Sequence, residues 1–155
     1  RPAGPEDAEG LAECEREVWE SLRGILPDGW IEDELDLLEE IEGMREFLMR
    51  ESTIALVAEE EGRIVGFIFG RLGAGVSQIF FLGVRPDSRR RGIGRALLEG
   101  FIEESRRRGA HKVYLWTCAK LVPAIKLYVS VGFVPEGYLR KHSYGEDMII
   151  MSKFL

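Results

Sequence analysis

Cysteine and long apolar runs are scarce in this chain of 155 residues, and each scarcity excludes a class of protein. Its two cysteines, Cys14 and Cys118, are too few for a disulfide framework and show no metal-ligand spacing. No apolar run approaches the roughly 18 residues that span a membrane, and no secretory leader is visible. We therefore expect a reduced, cytoplasmic protein with no metal site and no membrane contact.

What is present favours one folded domain over residues 1–155, because an apolar content of 45% is enough for a core. Charge is distributed unevenly along it. Residues 1–80 contain 20 acidic and 7 basic side chains, whereas residues 81–155 contain 7 acidic and 14 basic ones. The second half is therefore suited to an anion, while the first half either attracts a cationic partner or only solvates helix faces.

Hydrophobic periodicity predicts four helices and six strands. The predicted helices cover residues 5–25, 30–49, about 91–108 and 122–131. The predicted strands cover residues 53–60, 63–72, 77–84, 111–118, 133–140 and 146–154. Strands 77–84 and 111–118 are apolar on both faces, as expected of central strands. This order predicts an α/β layered domain, with a mixed sheet covered by helices on both faces.

The stretch from Arg89 to Arg95, RRRGIGR, lies where a predicted strand ends and a helix begins. The first turn of a helix presents unpaired backbone N–H groups and a partial positive charge. Glycines at 92 and 94 leave that backbone open to a large anion, and the arginines add charge and bidentate contacts. We predict a phosphate or diphosphate site. The alternative is a glycine-softened helix start whose arginines only face solvent.

Other phosphate and nucleic-acid motifs do not fit this stretch. The P-loop ending Gly-Lys-Ser/Thr is absent. A dinucleotide fingerprint needs a third glycine where Leu97 stands and an acidic residue that residues 110–118 lack. The basic runs 89–91 and 106–108 carry no interleaved aromatic residues on which bases could stack, so we expect no nucleic-acid partner.

Two stretches together resemble the GCN5-related N-acetyltransferase (GNAT) family. The first is Val84-Arg85-Pro86 followed by residues 89–94, and the second is LVPAIKLYVSVGF at residues 121–133. The resemblance covers nearly the whole chain. It implies the GNAT fold, an α/β layered domain with a mixed, mostly antiparallel central sheet of six to seven strands.

The resemblance implies acetyl-CoA as the acyl donor and assigns places to it. The diphosphate would lie on the backbone of residues 90–95, and the pantetheine arm would run like an added strand beside residues 82–84. One backbone N–H there would face the thioester oxygen and stabilise the tetrahedral intermediate. The expected cofactor-binding residues are Leu82, Gly83, Val84, Arg89, Arg90, Arg91, Gly92, Ile93, Gly94 and Arg95, with Lys126 either at the 3′-phosphate or in solvent.

Tyr128 matches the family tyrosine that protonates the departing thiolate, and a phenol of pKa ~10 is a proton donor at pH 7. It also falls on the predicted core face of its helix. Two positions depart from the family pattern. Leu121 stands where asparagine is usual, and Trp116 stands where the peptide acetyltransferases of the family have a glutamate base. Strand 77–84 offers Gln78 but no carboxylate, so the general base is not identified.

A site without a strong base favours an amine that loses its proton easily. At pH 7, deprotonation costs about 1.4 kcal/mol for an α-amine of pKa ~8 and about 4.6 kcal/mol for a lysine-like amine. We therefore expect an enzyme that transfers acetyl to a primary amine, in a peptide or small molecule, by direct attack in a ternary complex.

Three alternatives stay open. Five acidic residues within reach of the acceptor channel suit a polyamine or another cationic amine: Glu32, Glu34, Glu39, Glu40 and Glu42. His142 and Tyr144 are candidates for the acceptor mouth. A non-catalytic acyl-CoA-binding sensor is the alternative from another class, and an exposed closing strand offers a way to form a homodimer.

Overall fold

The computed structural model describes all 155 residues, and its centre is a sheet of six strands. The strands are β1 (Thr53–Glu60), β2 (Arg63–Gly73), β3 (Val76–Val84), β4 (Lys112–Cys118), β5 (Val134–Ser143) and β6 (Glu146–Phe154). Their order across the sheet is β1-β2-β3-β4-β6-β5, and only β3 and β4 pair in parallel. The prediction of a mixed, mostly antiparallel sheet is confirmed.

Five helices cover the two faces of this sheet. They are α1 (Ala8–Glu20), α2 (Asp28–Leu37), α3 (Ile41–Met49), α4 (Ile93–Arg107) and α5 (Val122–Val131). The first three pack on one face, around Phe67 and Trp19, while α4 and α5 pack on the other face around Phe101 and Tyr128. No helix is both long and apolar enough to cross a membrane.

The helix predicted over residues 30–49 is two helices, α2 and α3, with a turn at residues 38–40. The prediction was wrong because the apolar residues of the two halves belong to different clusters. Leu35 packs with Trp19, whereas Leu48 packs with Val57 and Phe67. A straight helix cannot bury both halves, so tertiary packing breaks it without a glycine or proline. The helix predicted over residues 5–25 is likewise shorter and ends at Glu20.

Strand β4 is not buried on both sides as predicted. Val113, Leu115 and Thr117 are buried, whereas Trp116 is 42% exposed. The exposed indole lies near the end of β5, with its ring centroid 5.6 Å from that of His142. The prediction failed because the apolar cluster that α2 forms on this face includes Cys118 but not Trp116.

A bulge and a divergence of strands open the middle of the sheet. The pairing of β2 with β3 shifts so that Phe80 is left opposite no residue, and Phe80 and Phe81 both face the side of α1 and α3. The parallel pairing of β3 with β4 ends at Ile79 and Leu115. Beyond that point the edge of β3 that faces β4 has no strand partner.

Arg85 fixes the end of β3 against α1. Its side chain is only 1% exposed, its Nε donates to the Ile64 carbonyl oxygen at 2.7 Å, and its guanidinium pairs with Glu17. Because a buried guanidinium is stable only when its donors are paired, these contacts hold the strand end in one place. The loop that follows is therefore anchored where it leaves the sheet.

Candidate active site

The loop between β3 and α4 leaves the backbone N–H groups of residues 90–95 without a protein acceptor. The first backbone bond of α4 runs from the Ala96 N–H to the Gly92 carbonyl at 3.0 Å, and no side chain caps the helix. Arg90 and Gly92 have positive φ angles of 65° and 79°. Left-handed residues in a loop turn successive N–H groups toward one side, where they bind anions.

The two glycines of this loop serve it differently. Gly92 adopts a left-handed conformation that favours glycine, and a Cβ there would meet nothing within 4 Å. A Cβ on Gly94 would make only ordinary contacts with Leu127 at 3.6 Å and Val84 at 3.7 Å. Packing within the protein therefore does not require glycine at position 94.

Two of the loop arginines are held by neighbouring elements. Arg89 donates from Nε to the Val84 carbonyl oxygen at 3.0 Å and from its terminal nitrogen to Ser21 Oγ at 2.9 Å. Arg91 pairs with Glu60 at 2.9 Å on the opposite side of the loop. Both contacts are exposed, so they orient the side chains and contribute little to stability.

The remaining predicted cations lie along the gap between α4 and α5. Arg95 pairs with Glu99 at 3.0 Å and donates to Ser130 Oγ on α5 at 3.1 Å. Arg90 and Lys126 are exposed and form no ion pair. The arginines and the free N–H groups together make this end of the α4/α5 face attractive to a polyanion.

A cavity of about 100 Å³ occupies the gap where β3 and β4 diverge; we call it the splay cavity. Its walls come from both faces of the sheet and include Trp19, Phe80, Leu82, Trp116, Tyr128 and Met148. Of the predicted residues, Leu82 and Tyr128 line it. Gly83 faces α1, where a Cβ would collide with Phe67, and Val84 lies against Gly94.

Tyr128 is 6% exposed and its hydroxyl makes no hydrogen bond within the protein. Burial raises the pKa of this phenol to about 12, so it carries its proton throughout the neutral range. Its ring packs against Phe133 with centroids 5.8 Å apart. The hydroxyl is thus a fixed donor at the wall of the splay cavity, and the core position predicted for the residue is also observed.

A second pocket lies beside the splay cavity, between α1, α2, α3 and the bulge of β3. We call it the acidic pocket because Glu15, Glu34 and Glu40 line it together with Phe47, Phe69 and Phe80. Glu32, Glu39 and Glu42 instead lie near the exposed arginines Arg23, Arg16 and Arg45. Of the five acidic residues considered from the sequence, two therefore reach this pocket.

Glu15 was missed by the sequence analysis. It stands four residues after Leu11 and three before Val18, in the apolar stripe of α1, and is 5% exposed. Burial raises the pKa of its carboxyl to about 8, the Trp19 indole N–H opposes that rise, and the charge of Glu34 adds to it. A carboxylate within an apolar stripe was the available signal.

The end of β5 and the turn that follows it carry the two residues predicted at the acceptor mouth, His142 and Tyr144. Tyr144 stacks on Trp30 of α2 with centroids 5.3 Å apart, and its hydroxyl donates to Asp33 at 2.6 Å. His142 lies beside Trp116. Both are exposed, and neither lines the splay cavity or the acidic pocket.

Known proteins share this sequence pattern and this fold. The [ribosomal protein bS18]-alanine N-acetyltransferase of Escherichia coli K12 is 36% identical over 98 residues, which are 60% of this chain and 66% of that protein. The chain thus spans just under two thirds of the length of that curated relative. The crystal structure of ribosomal-protein-alanine N-acetyltransferase from Brucella melitensis is 28% identical, with a TM-score of 0.74, and the match covers 100% of this chain and 98% of that one.

A third similarity concerns the fold alone. The crystal structure of PaiA N-acetyltransferase from Thermoplasma acidophilum in complex with coenzyme A has a TM-score of 0.87 at 22% identity, covering 100% of this chain and 97% of that one. The family model described as the acetyltransferase (GNAT) family matches residues 15–133. The chain therefore belongs to the GNAT acetyltransferase family, as its two sequence stretches predicted, and acetyl-CoA is the acyl donor that this family uses.

Proposed function

We propose that this protein is an acetyl-CoA-dependent N-acetyltransferase that acetylates a primary α-amine by direct attack in a ternary complex. The observation that carries the proposal is the splay cavity, whose walls belong to both faces of the sheet and include Tyr128. A donor bound on the α4/α5 face and an acceptor entering from the α1/α2 face would meet in it. Direct transfer needs such a meeting point and no covalent enzyme intermediate.

The loop before α4 is proposed to bind the diphosphate. The free N–H groups of residues 90–95 donate to its oxygens, and Arg89, Arg90, Arg91 and Arg95 supply positive charge. Ile93 begins the helix whose dipole points at the anion. Lys126, exposed on α5, is proposed to meet the 3′-phosphate. No single contact is strong, so affinity depends on the whole set.

The free edge of β3 is proposed to hold the pantetheine arm at residues 82–84, through backbone hydrogen bonds. Acetyl-CoA supplies an acetyl thioester there. A backbone N–H of this edge stabilises negative charge on the carbonyl oxygen only as it develops, which lowers the barrier to attack. Tyr128 donates its proton to the departing sulfur, a role for which a phenol that stays protonated at neutral pH is well suited.

An N-terminal α-amine is the acceptor best supported. The two alanine N-acetyltransferases similar to this chain are named for such an acceptor. An α-amine also has the lower cost of deprotonation at neutral pH, by about 3 kcal/mol relative to a lysine-like amine.

A polyamine is a second candidate, and the acidic pocket favours it. Glu15, Glu34 and Glu40 line a pocket beside the splay cavity that contains no cation, and a molecule with several ammonium groups supplies the charge that favours their ionised forms. The two candidates differ in which nitrogen is acetylated: the α-amine of a peptide or an amine of a polyamine.

The test is acetylation by the purified protein, with the product identified by mass spectrometry. The acceptors are a peptide beginning with alanine, the same peptide with its α-amine blocked and a lysine retained, and spermidine. We expect acetyl only on the free α-amine. Product on spermidine alone would favour the second candidate, and coenzyme A binding without any acetylated amine would indicate a non-catalytic sensor.

A further inference from the structure

One polar atom in the acidic pocket has no partner. The Glu15 side chain is 5% exposed, its Oε2 accepts a hydrogen bond from Trp19 Nε1 at 3.4 Å, and its Oε1 is buried without any hydrogen bond. A buried carboxylate with an unsatisfied oxygen destabilises a fold. No group of the protein satisfies Oε1, so a donor of a bound ligand is the available partner.

The groups around Glu15 have one sign of charge. Glu34 of α2 and Glu40, in the turn before α3, face the pocket. The sheet contributes Phe69 and Phe80, and α3 contributes Phe47, none of which carries charge. No arginine or lysine lines the pocket. Because no cationic side chain lines the pocket, an ammonium group of the substrate is the partner that favours the ionised form of these carboxyl groups.

Glu15 is also adjacent to the place where acetyl transfer is proposed. Trp19, its hydrogen-bond partner, lines the splay cavity, and Phe80 lines both the splay cavity and the acidic pocket. An amine that enters past the Phe80 ring therefore passes from the carboxylates to the thioester position.

We propose that Glu15 is the general base, which takes a proton from the acceptor's ammonium group while the acidic pocket binds that group. This inference rests on the proposed function and supplies the base that the sequence lacks at Trp116. The acceptor class is an ammonium group next to an apolar or aromatic substituent, because leucine, methionine, alanine and phenylalanine side chains form most of the remaining walls. An acceptor with an acidic substituent beside the amine is repelled.

The protons balance in this scheme. The ammonium gives one proton to the Glu15 carboxylate, which later releases it to water. The neutral nitrogen forms a bond to the acetyl carbon, the carbon–sulfur bond breaks, and the sulfur takes a proton from Tyr128. The nitrogen then loses its second proton, which returns Tyr128 to its protonated form. The products are the acetylated amine, the thiol of coenzyme A and one released proton.

The ionisation of Glu15 suits this task. Burial raises its pKa to about 8, close to that of an α-amine at ~8, so proton transfer between them is nearly isoenergetic. Burial also raises the pKa of Glu34, whose charge acts on Glu15 in the same direction. An ordinary exposed glutamate, with a pKa of ~4.3, would be a much weaker base.

The experiment measures kcat and kcat/KM for an alanine-starting peptide from pH 6 to 10 in wild type, Glu15→Gln and Glu15→Asp. We expect Glu15→Gln to lower kcat/KM about 100-fold at pH 7 and less than 10-fold at pH 10, where the amine arrives neutral. Glu15→Asp keeps a carboxylate and should retain more activity than Glu15→Gln. Glu34→Gln should move the rise of kcat with pH to lower pH, because it removes the charge that raises the Glu15 pKa.

Glu46→Gln, an exposed residue of α3 outside the pocket, is the matched control and should behave as wild type. Calorimetric coenzyme A binding verifies that each variant is folded. If the wild type acetylates the peptide and Glu15→Gln matches it, or shows one loss at every pH, only the role of Glu15 is overturned. A folded wild-type protein that acetylates no amine overturns the proposed function and this inference together.

Discussion

The two faces of the sheet approach the splay cavity with opposite chemistry. On the α4/α5 face, free main-chain N–H groups and arginines surround the first turn of α4, so the attraction there is for an anion. On the α1/α2/α3 face, three carboxylates line a pocket that contains no cation. The first face uses backbone geometry, which short motifs encode. The second uses side chains brought together from separate helices, and no local motif describes it.

The largest effect we predict is the loss of folding stability that accompanies ionisation of Glu15. The Glu15 pKa is about 8 in the folded protein and ~4.3 in the unfolded chain, so its stabilising contribution is complete below pH 4 and is lost as pH rises to 8. The glutamine of Glu15→Gln cannot ionise, so the variant does not lose this stability as pH rises. We expect the variant to be about 5 kcal/mol more stable than wild type at pH 9 and within about 1 kcal/mol of it at pH 4.5. Urea unfolding at the two pH values measures this, and an equal difference at both would contradict it.

The corresponding change on the other face is Gly94→Glu. A carboxylate in the first turn of α4 suits the helix dipole, so the fold is retained, but it repels and blocks a diphosphate. We expect about a 1,000-fold loss of coenzyme A affinity, or ~4 kcal/mol, by calorimetry. Gly94→Ala is the control for folding, because its Cβ makes only ordinary contacts within the protein. If Gly94→Glu binds coenzyme A as tightly as wild type does, the loop before α4 does not bind the cofactor.

Tyr128→Phe tests the proposed proton donor at the wall of the splay cavity, where the two faces of the sheet meet. The change removes one hydroxyl that has no hydrogen bond within the protein, so stability and coenzyme A affinity should hold. We expect kcat to fall about 100-fold through loss of the proton donor. Steady-state kinetics with product detection measures it, and normal turnover would assign the acid to another group.

The smallest effect is expected at Lys126. It is exposed on α5 and forms no ion pair, so Lys126→Ala should weaken coenzyme A binding about threefold at low salt. The same variant should bind 3′-dephospho-coenzyme A as wild type does. Equal losses for both ligands would mean that Lys126 does not meet the 3′-phosphate.

Local sequence signals predicted several elements of the fold well. Residues 122–131 were predicted as a helix and form α5. The strands predicted over residues 53–60 and 63–72 form β1 and β2, joined by a turn at Glu61-Gly62 with φ angles of 50° and 77°. The break between α2 and α3 could not be predicted, because it depends on which cluster each half joins. The burial of Glu15 depends in the same way on three helices closing over one residue.

The most direct test of the account is calorimetry of the folded protein with coenzyme A and with pantetheine, which lacks the diphosphate. The account predicts that coenzyme A binds with a micromolar dissociation constant and that pantetheine binds at least about 100-fold more weakly, because only coenzyme A reaches the N–H groups of residues 90–95. No uptake of coenzyme A at millimolar concentration, or equal affinities for the two ligands, would contradict it.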